Sequence, residues 1–167
     1  QKSIVKNEGQ FQIDSLPGAN ILYAFPEQNQ ITYFTDQGVV FEFISKGKVK
    51  KTQEEKNWRT QRKQKAFTLD EWNAFERLGH RLDIKKEILT TTWRGGNTNF
   101  TVKEDGETDF YHSYTVITET GEHKNLPNIP SFATITYQNI YPNVDVVYEI
   151  HAETGIKYSL ILHPGAN

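Results

Sequence analysis

The side chains in this sequence best suited to chemistry are a pair of carboxylates, Asp145 and Glu149, and five histidines. An even separation along a strand puts Asp145 and Glu149 on one face. Paired carboxylates are what glycoside hydrolysis needs, one as acid and one as base or nucleophile, about 5–9.5 Å apart. Four residues of strand span roughly 13 Å, so the spacing is unfavourable and no glycosidase is expected. His80, His112, His123, His151 and His163 show no metal-ligand spacing to one another. His151 and His163 lie on consecutive predicted strands, which would let them approach. The acidic run Glu104, Asp105, Glu107, Asp109 lacks the order of a calcium loop and reads as an exposed hairpin tip. Ser45-Lys46-Gly47-Lys48 lacks the upstream glycine of a phosphate loop, and no nucleophile elbow or zinc-protease motif is present. The expectation is a non-enzymatic chain with no catalytic, cofactor-binding or metal-binding residue and no cofactor.

The elements that would position these groups are mostly strands. An acid, one further residue and a glycine recur at Asp36-Gln37-Gly38, Glu104-Asp105-Gly106, Glu119-Thr120-Gly121 and Glu153-Thr154-Gly155. That pattern suits a type I turn closed by a left-handed glycine. β-Branched and aromatic residues fill the flanks, and strands are predicted at 21–25, 31–35, 39–44, 84–93, 99–103, 110–118, 132–137, 144–151 and 156–163. In the last hairpin, a three-residue loop at 153–155 predicts paired residue numbers summing to 308, with Tyr148 opposite Leu160.

One helix is predicted over 69–78. Thr68 and Glu71 have the spacing of a capping box, Phe67 precedes the cap as a hydrophobic staple, and Gly79 supplies the stop. Leu69, Trp72, Phe75 and Leu78 share a face, with Trp72 and Phe75 expected inside. From Lys46 to Lys65 nine Lys or Arg stand against Glu54 and Glu55, a local charge of +7 in a chain of net charge -2. This stretch reads as a polar, mobile excursion. The fold class is therefore all-β, an antiparallel β-sandwich or jelly-roll-like domain over 1–167, with one short helix in a basic insertion at about 46–80.

Composition limits the partners. Nineteen Lys or Arg balance 21 Asp or Glu, which argues against a dedicated nucleic-acid binder. No stretch approaches the roughly 18 apolar residues of a spanning helix. The absence of cysteine excludes disulfides, thiolate zinc sites and cysteine nucleophiles. The absence of methionine and the start at Gln1 suggest a removed signal peptide or an excised fragment.

Several motifs carry a resemblance. Asn7-Glu8-Gly9-Gln10 is followed by Phe34-Thr35-Asp36-Gln37-Gly38-Val39-Val40-Phe41, and later by Asn139-Ile140-Tyr141-Pro142-Asn143-Val144-Asp145-Val146-Val147-Tyr148. The run Gly155-Ile156-Lys157-Tyr158-Ser159-Leu160 then leads to Pro164-Gly165-Ala166-Asn167, and Trp93-Arg94-Gly95-Gly96-Asn97 is a weaker match. Together they resemble the N-terminal β-domain of large secreted bacterial proteins, which precedes SBBP-type β-propeller repeats or gliding-motility and type IX secretion C-terminal domains in the Bacteroidota. Asn143 stands where that family often has glycine, which suits a left-handed turn.

The resemblance implies a structural or adhesive module, extracellular or at the cell surface, exported through a cleaved signal peptide. Its partners would be the remainder of its own polypeptide and a surface glycan or outer-membrane or secretion proteins. Asp14-Ser15-Leu16 is similar to the O-glycosylation site of those bacteria, and Asn99-Phe100-Thr101 is a formal N-glycosylation sequon. The alternative is a carbohydrate-binding module, for which Trp58, Trp93, Tyr111 and Tyr114 are the candidate platforms. A hydrolase is the third reading.

Overall fold

The computed structural model describes residues 2–166 apart from 15, 17, 50–51, 62–65, 67, 80–81, 119 and 152–154. The chain divides into two compact units, Gln1–Glu42 with Ile88–Asn167, and Phe43–Glu87.

In the first unit the strands are β1 (Ile4–Lys6), β2 (Ile21–Pro26), β3 (Gln30–Thr35), the start of β4 (Gly38–Lys48), the end of β5 (Leu82–Thr92), β6 (Thr101–Glu107), β7 (His112–Ile117), β8 (His123–Ile129), β9 (Ser131–Tyr141), β10 (Val144–His151) and β11 (Gly155–Leu162). The hydrogen-bonded order is β11-β10-β9-β1-β2-β3-β4-β5, with β6 also on β9 and β7-β8 as a separate hairpin. β1 pairs antiparallel with β2 and β9, β2 with β3, β9 with β6 and β10, β10 with β11, and β7 with β8. β1 and β9 share only Ile4↔Phe132 and Val5↔Ser131. That short join leaves β6-β9-β10-β11 as one layer and β1 to β5 as the other.

The layers are held by apolar side chains of alternate residues. Tyr23, Phe25, Phe34 and Val39 from one layer pack with Ile135, Tyr137, Val146 and Tyr148 from the other. The intervening residues of the β1–β5 layer face the opposite way. Ala24, Tyr33 and Val40 meet Ile13, Phe11 and Leu16 of the segment after β1. Val5, Leu126 and Ile129 form a third cluster against Tyr114 and Val116 of the β7-β8 hairpin. The fold is all-β, as the strand periodicity predicts.

Turn chemistry sets the corners. Thr35 Oγ1 accepts from the amides of Gln37 and Gly38 between β3 and β4. Thr118 closes the β7-β8 turn, where the Gly121 amide bonds its carbonyl at 2.9 Å. The β9-β10 turn is Pro142-Asn143, with Tyr141 opposite Val144 and Asn143 at φ 60°. Proline followed by a positive φ is the type II pattern, and it is the left-handed role expected of Asn143.

The triplet Glu104-Asp105-Gly106 corrects the turn reading. It lies inside β6, with Glu104 opposite Ile135 and Asp105 opposite Thr134, so it is neither a hairpin nor an exposed tip. Gly106 has φ +67°, and a Cβ there would come within 2.9 Å of the Ala133 Cβ. The glycine serves close strand approach rather than a turn.

The C-terminal register is also corrected. Tyr148 pairs with Tyr158, Val146 with Leu160 and His151 with Gly155, so paired numbers sum to 306 rather than 308. A two-residue shift keeps every side chain on its expected face, which is why the hydrophobic pattern could not distinguish the two.

Among the described residues the second unit holds two helices where one was expected. α1 is Gln53–Gln61 and α2 is Leu69–Gly79. α1 occupies much of the stretch read as a polar excursion, which also begins as strand through Lys48. The α2 capping box forms as predicted: Glu71 Oε2 accepts from the Thr68 amide at 2.9 Å, and the Glu71 amide donates to Thr68 Oγ1 at 3.3 Å. Trp72 is half-buried. Phe67 and the Phe75 side chain lie outside the described residues.

Candidate functional site

Asp145 and Glu149 do not converge. The Asp145 carboxylate sits at an irregularity in the β9-β10 pairing between Val144 and Val146. Its Oδ1 accepts the Asn139 amide at 2.8 Å, and its Oδ2 lies 2.8 Å from His163 Nε2. The Asn139 amide, then His163, hold the carboxyl below the usual range, against the opposing effect of burial. Glu149 lies directly opposite Lys157, whose ammonium donates to Oε1 at 2.8 Å and lowers the carboxyl pKa.

The other histidines are dispersed. His151 ends β10 opposite Gly155, whereas His163 bonds Asn143 and Asp145 at the far end of the hairpin, so the two do not approach each other. His123 begins β8 and His80 lies outside the described residues. His112 Nε2 lies 3.2 Å from Ser3 Oγ, a contact across 109 residues that no local motif could signal. Serine beside histidine is the start of a nucleophile–base arrangement. Ser3 is only 5% exposed, however, and the imidazole is flanked by Phe110 and Tyr114. Burial lowers the His112 pKa and so favours its neutral form.

Of the acidic run, Glu104 is spent on structure. Its Oε1 accepts from Lys6 Nζ at 2.9 Å and from the Tyr23 hydroxyl. Burial works to raise the Glu104 pKa, but the Lys6 and Tyr23 hydrogen bonds outweigh it and leave it lowered. Asp105 pairs with Lys103 at 2.8 Å. Buried Glu42 accepts from the Tyr33 hydroxyl at 3.0 Å. Among the described residues no group of three or more potential ligands is placed to hold a metal ion.

The aromatic candidates separate in the same way. Tyr111 is exposed, and Tyr114 packs edge-on to Phe11 at 5.6 Å. Trp58 belongs to α1 in the second unit and is half-buried. Trp93 is the informative one. Its Nε1 donates to the Tyr148 hydroxyl at 2.9 Å, and its ring meets Tyr158 at 5.9 Å and 74°. Its amide bonds the Gln37 carbonyl, while the amides of Gly96 and Asn97 bond Trp93 and Ile140, fixing the loop after β5.

Trp93 lines two cavities. One, of about 300 Å³, is bordered by Asp36, Gln37, Gly96, Asn97 and Ile140. The other, of about 220 Å³, is lined by Phe41, Thr91, Tyr148, Ile156 and Tyr158 and is mostly apolar. Among the described residues, no helix is long and apolar enough to cross a membrane. Comparison with curated proteins and with solved structures gives no match. A family model described as Domain of unknown function (DUF7948) matches residues 4–167, and the chain belongs to that family.

Proposed function

We propose that this chain is a non-catalytic β-module of a large secreted or cell-surface bacterial protein, where it serves structure or attachment. One observation carries the reading. The groups best suited to chemistry are engaged in bonds between strands or turns: Asp145 with Asn139 and His163, Glu104 with Lys6 and Tyr23, and Glu149 with Lys157. A general acid or base must reach a substrate proton; Asp145 and Glu149 instead tie β9, β10 and the end of β11 within one layer, and Glu104 joins that layer to β1 and β2. The module's work is then rigid display, with the rest of its own polypeptide as first partner and a surface glycan or secretion component as second.

Deletion of the module from the parent gene is expected to abolish surface attachment or spreading of the cell, while Asp145→Asn leaves it intact. A glycoside or peptide turned over by the purified chain, with turnover lost in Asp145→Asn at an unchanged melting temperature, would overturn the reading.

The second reading is carbohydrate binding. It rests on the cavity beside the loop after β5, lined by Asp36, Gln37, Trp93 and Asn97, since polar and apolar groups together in a concave site suit a small ligand. Binding on a glycan array that is lost in Trp93→Ala would favour it, and a blank array would remove it.

A further inference from the structure

We propose that the cleft between the loop after β1 and the β7-β8 hairpin binds a small zwitterion, an apolar α-amino acid or short peptide with free ends, through Glu8 and Lys124. The site is separate from the two Trp93 cavities, and it stands whether or not the module serves attachment.

A lysine occupies a position where the hairpin's pattern calls for an apolar residue. Tyr114 stands opposite Leu126 and Val116 opposite Lys124, so the four side chains share one face. On that face Leu126 is buried with Val5 and Ile129, and Tyr114 and Val116 pack against them. Lys124 continues the row, two residues from Leu126. There the two walls part around a cavity of about 600 Å³. Val116, Ile117, Lys124 and Leu126 line it from the hairpin, and Glu8 and Gln10 from the loop.

The loop wall is shaped by its own side chains. Asn7 Oδ1 accepts the amides of Gly9 and Phe11, both at 3.1 Å, and Asn7 Nδ2 donates to the Ile21 carbonyl at 2.9 Å. Gln10 Oε1 accepts the Glu8 amide at 2.7 Å, and Gln10 Nε2 donates to the Lys6 carbonyl at 2.6 Å. Gly9 takes φ +106°, which suits glycine. In the Asn7-Glu8-Gly9-Gln10 motif, three residues thus build the turn. Glu8 is carried on it with its carboxylate unused. Binding need not order this wall, which removes one cost of association.

The two charges select the ligand. Glu8 and Lys124 border one space from opposite walls, yet among the described residues neither forms an ion pair with the other or with a third group. A ligand that fills the cleft displaces their water, so it must pair both or leave a charge unpaired, which is costly. A phosphate meets Lys124 but is repelled by Glu8. A metal cation or polyamine meets Glu8 but is repelled by Lys124. A neutral sugar bonds both and compensates neither. A ligand with a carboxylate for Lys124 and an ammonium for Glu8 satisfies both through charge-assisted hydrogen bonds. Val116, Ile117 and Leu126 border the same space, and Ile117 is 68% exposed, so the ligand's side chain is apolar. The volume of about 600 Å³ lies within the roughly 300–1,000 Å³ that takes a whole small ligand.

The test is calorimetric titration of the purified chain with leucine, dileucine and trileucine, all with free ends. At least one should bind, and the tightest gives the ligand's length. For that ligand, N-acetylation and C-terminal amidation should each weaken binding about tenfold. Two variants then assign the ends. Lys124→Gln should bind the free ligand more weakly and become indifferent to amidation, while still sensing acetylation. Glu8→Gln should show the reverse. Both side chains are exposed, and an unchanged melting temperature checks that each variant folds. Absence of binding by all three ligands, equal binding of the blocked forms, or variants that respond alike to both blocking groups overturns the proposal. So does energetic coupling between Glu8→Gln and Lys124→Gln in urea unfolding, because the two charges then pair with each other across the cleft.

Discussion

Asp145 Oδ2 lies 2.8 Å from His163 Nε2, while Oδ1 accepts the amide of Asn139 at the same distance. One carboxylate thus joins His163, the residue after β11, to a left-handed residue, Asn139 at φ 58°, near the end of β9. A non-glycine residue at positive φ persists only where its surroundings fix it. The Asp145 bond supplies part of that fixing.

Asp145→Ala leaves the Asn139 amide without its acceptor and should cost about 1–3 kcal/mol in urea unfolding. Asp145→Asn keeps an acceptor oxygen and should cost less. The sign of the pH effect follows from the lowered Asp145 pKa. Its contribution is full above the unfolded value of about 3.9 and is lost as pH falls through the lower folded value. Stability between pH 4 and 2 should therefore fall more steeply in the wild type than in Asp145→Asn. Parallel curves would remove Asp145 as a titrating latch.

Two glycines with similar sequence settings should respond differently. A Cβ on Gly38 would stand 2.0 Å from the Thr91 carbonyl oxygen, which is strand backbone and cannot yield without disturbing the β4-β5 pairing. A Cβ on Gly121 meets nothing within 4 Å, so its cost is that of a left-handed φ of +82°, about 1–2 kcal/mol. Gly38→Ala should lower the urea midpoint further than Gly121→Ala, and the reverse order would contradict the close approach of β4 and β5.

The strands with strong alternation were legible, and those without it were not. β10 and β11 follow from their β-branched and aromatic runs. β1 is three residues long, too short for any period, although Ile4 and Val5 are fully buried. β8 contains Pro127, two polar asparagines and one lysine, and turns only Leu126 and Ile129 inward, so it reads as loop. α1 lacks an apolar stripe, Trp58 being its one large apolar residue, so periodicity gave no signal. The bonds that consume the candidate carboxylates were illegible for another reason: Glu104 meets Tyr23 across 81 residues and Lys6 across 98. Such partners are chosen by topology, and no local spacing encodes them.

The helix cap of α2 was legible because it is local, and its energy should be local too. Thr68→Ala removes the oxygen that accepts the Glu71 amide and should cost about 1 kcal/mol of helix stability. The readout is amide exchange in the first turn of α2, which should accelerate about fivefold. Unchanged exchange at Glu71 would show that the cap carries none of the helix's stability.

The last prediction concerns alkaline unfolding. Burial is the first cause that raises the hydroxyl pKa of Tyr23, Tyr33, Tyr137 and Tyr148, and it also raises that of Tyr114. Bonds to Glu104 and Glu42 add to the rise for Tyr23 and Tyr33. For Tyr148 the Trp93 hydrogen bond acts in the other direction and is outweighed. A phenol whose folded pKa lies above its unfolded value of about 10 favours the fold only while it remains protonated. Above pH 10 the unfolded chain releases protons that the fold retains, so stability falls with rising pH. The effect is cooperative, because Tyr23, Tyr137 and Tyr148 share one core and the last two rings lie 5.3 Å apart. Phenolate absorbance at 295 nm should show a late step at the pH where far-ultraviolet strand dichroism is lost. Tyr23→Phe, which removes the hydroxyl bonded to Glu104 and keeps the ring in the core, should reduce that step's amplitude. A late phase that finishes while the strand signal is intact would mean that these hydroxyls reach solvent within the folded sandwich.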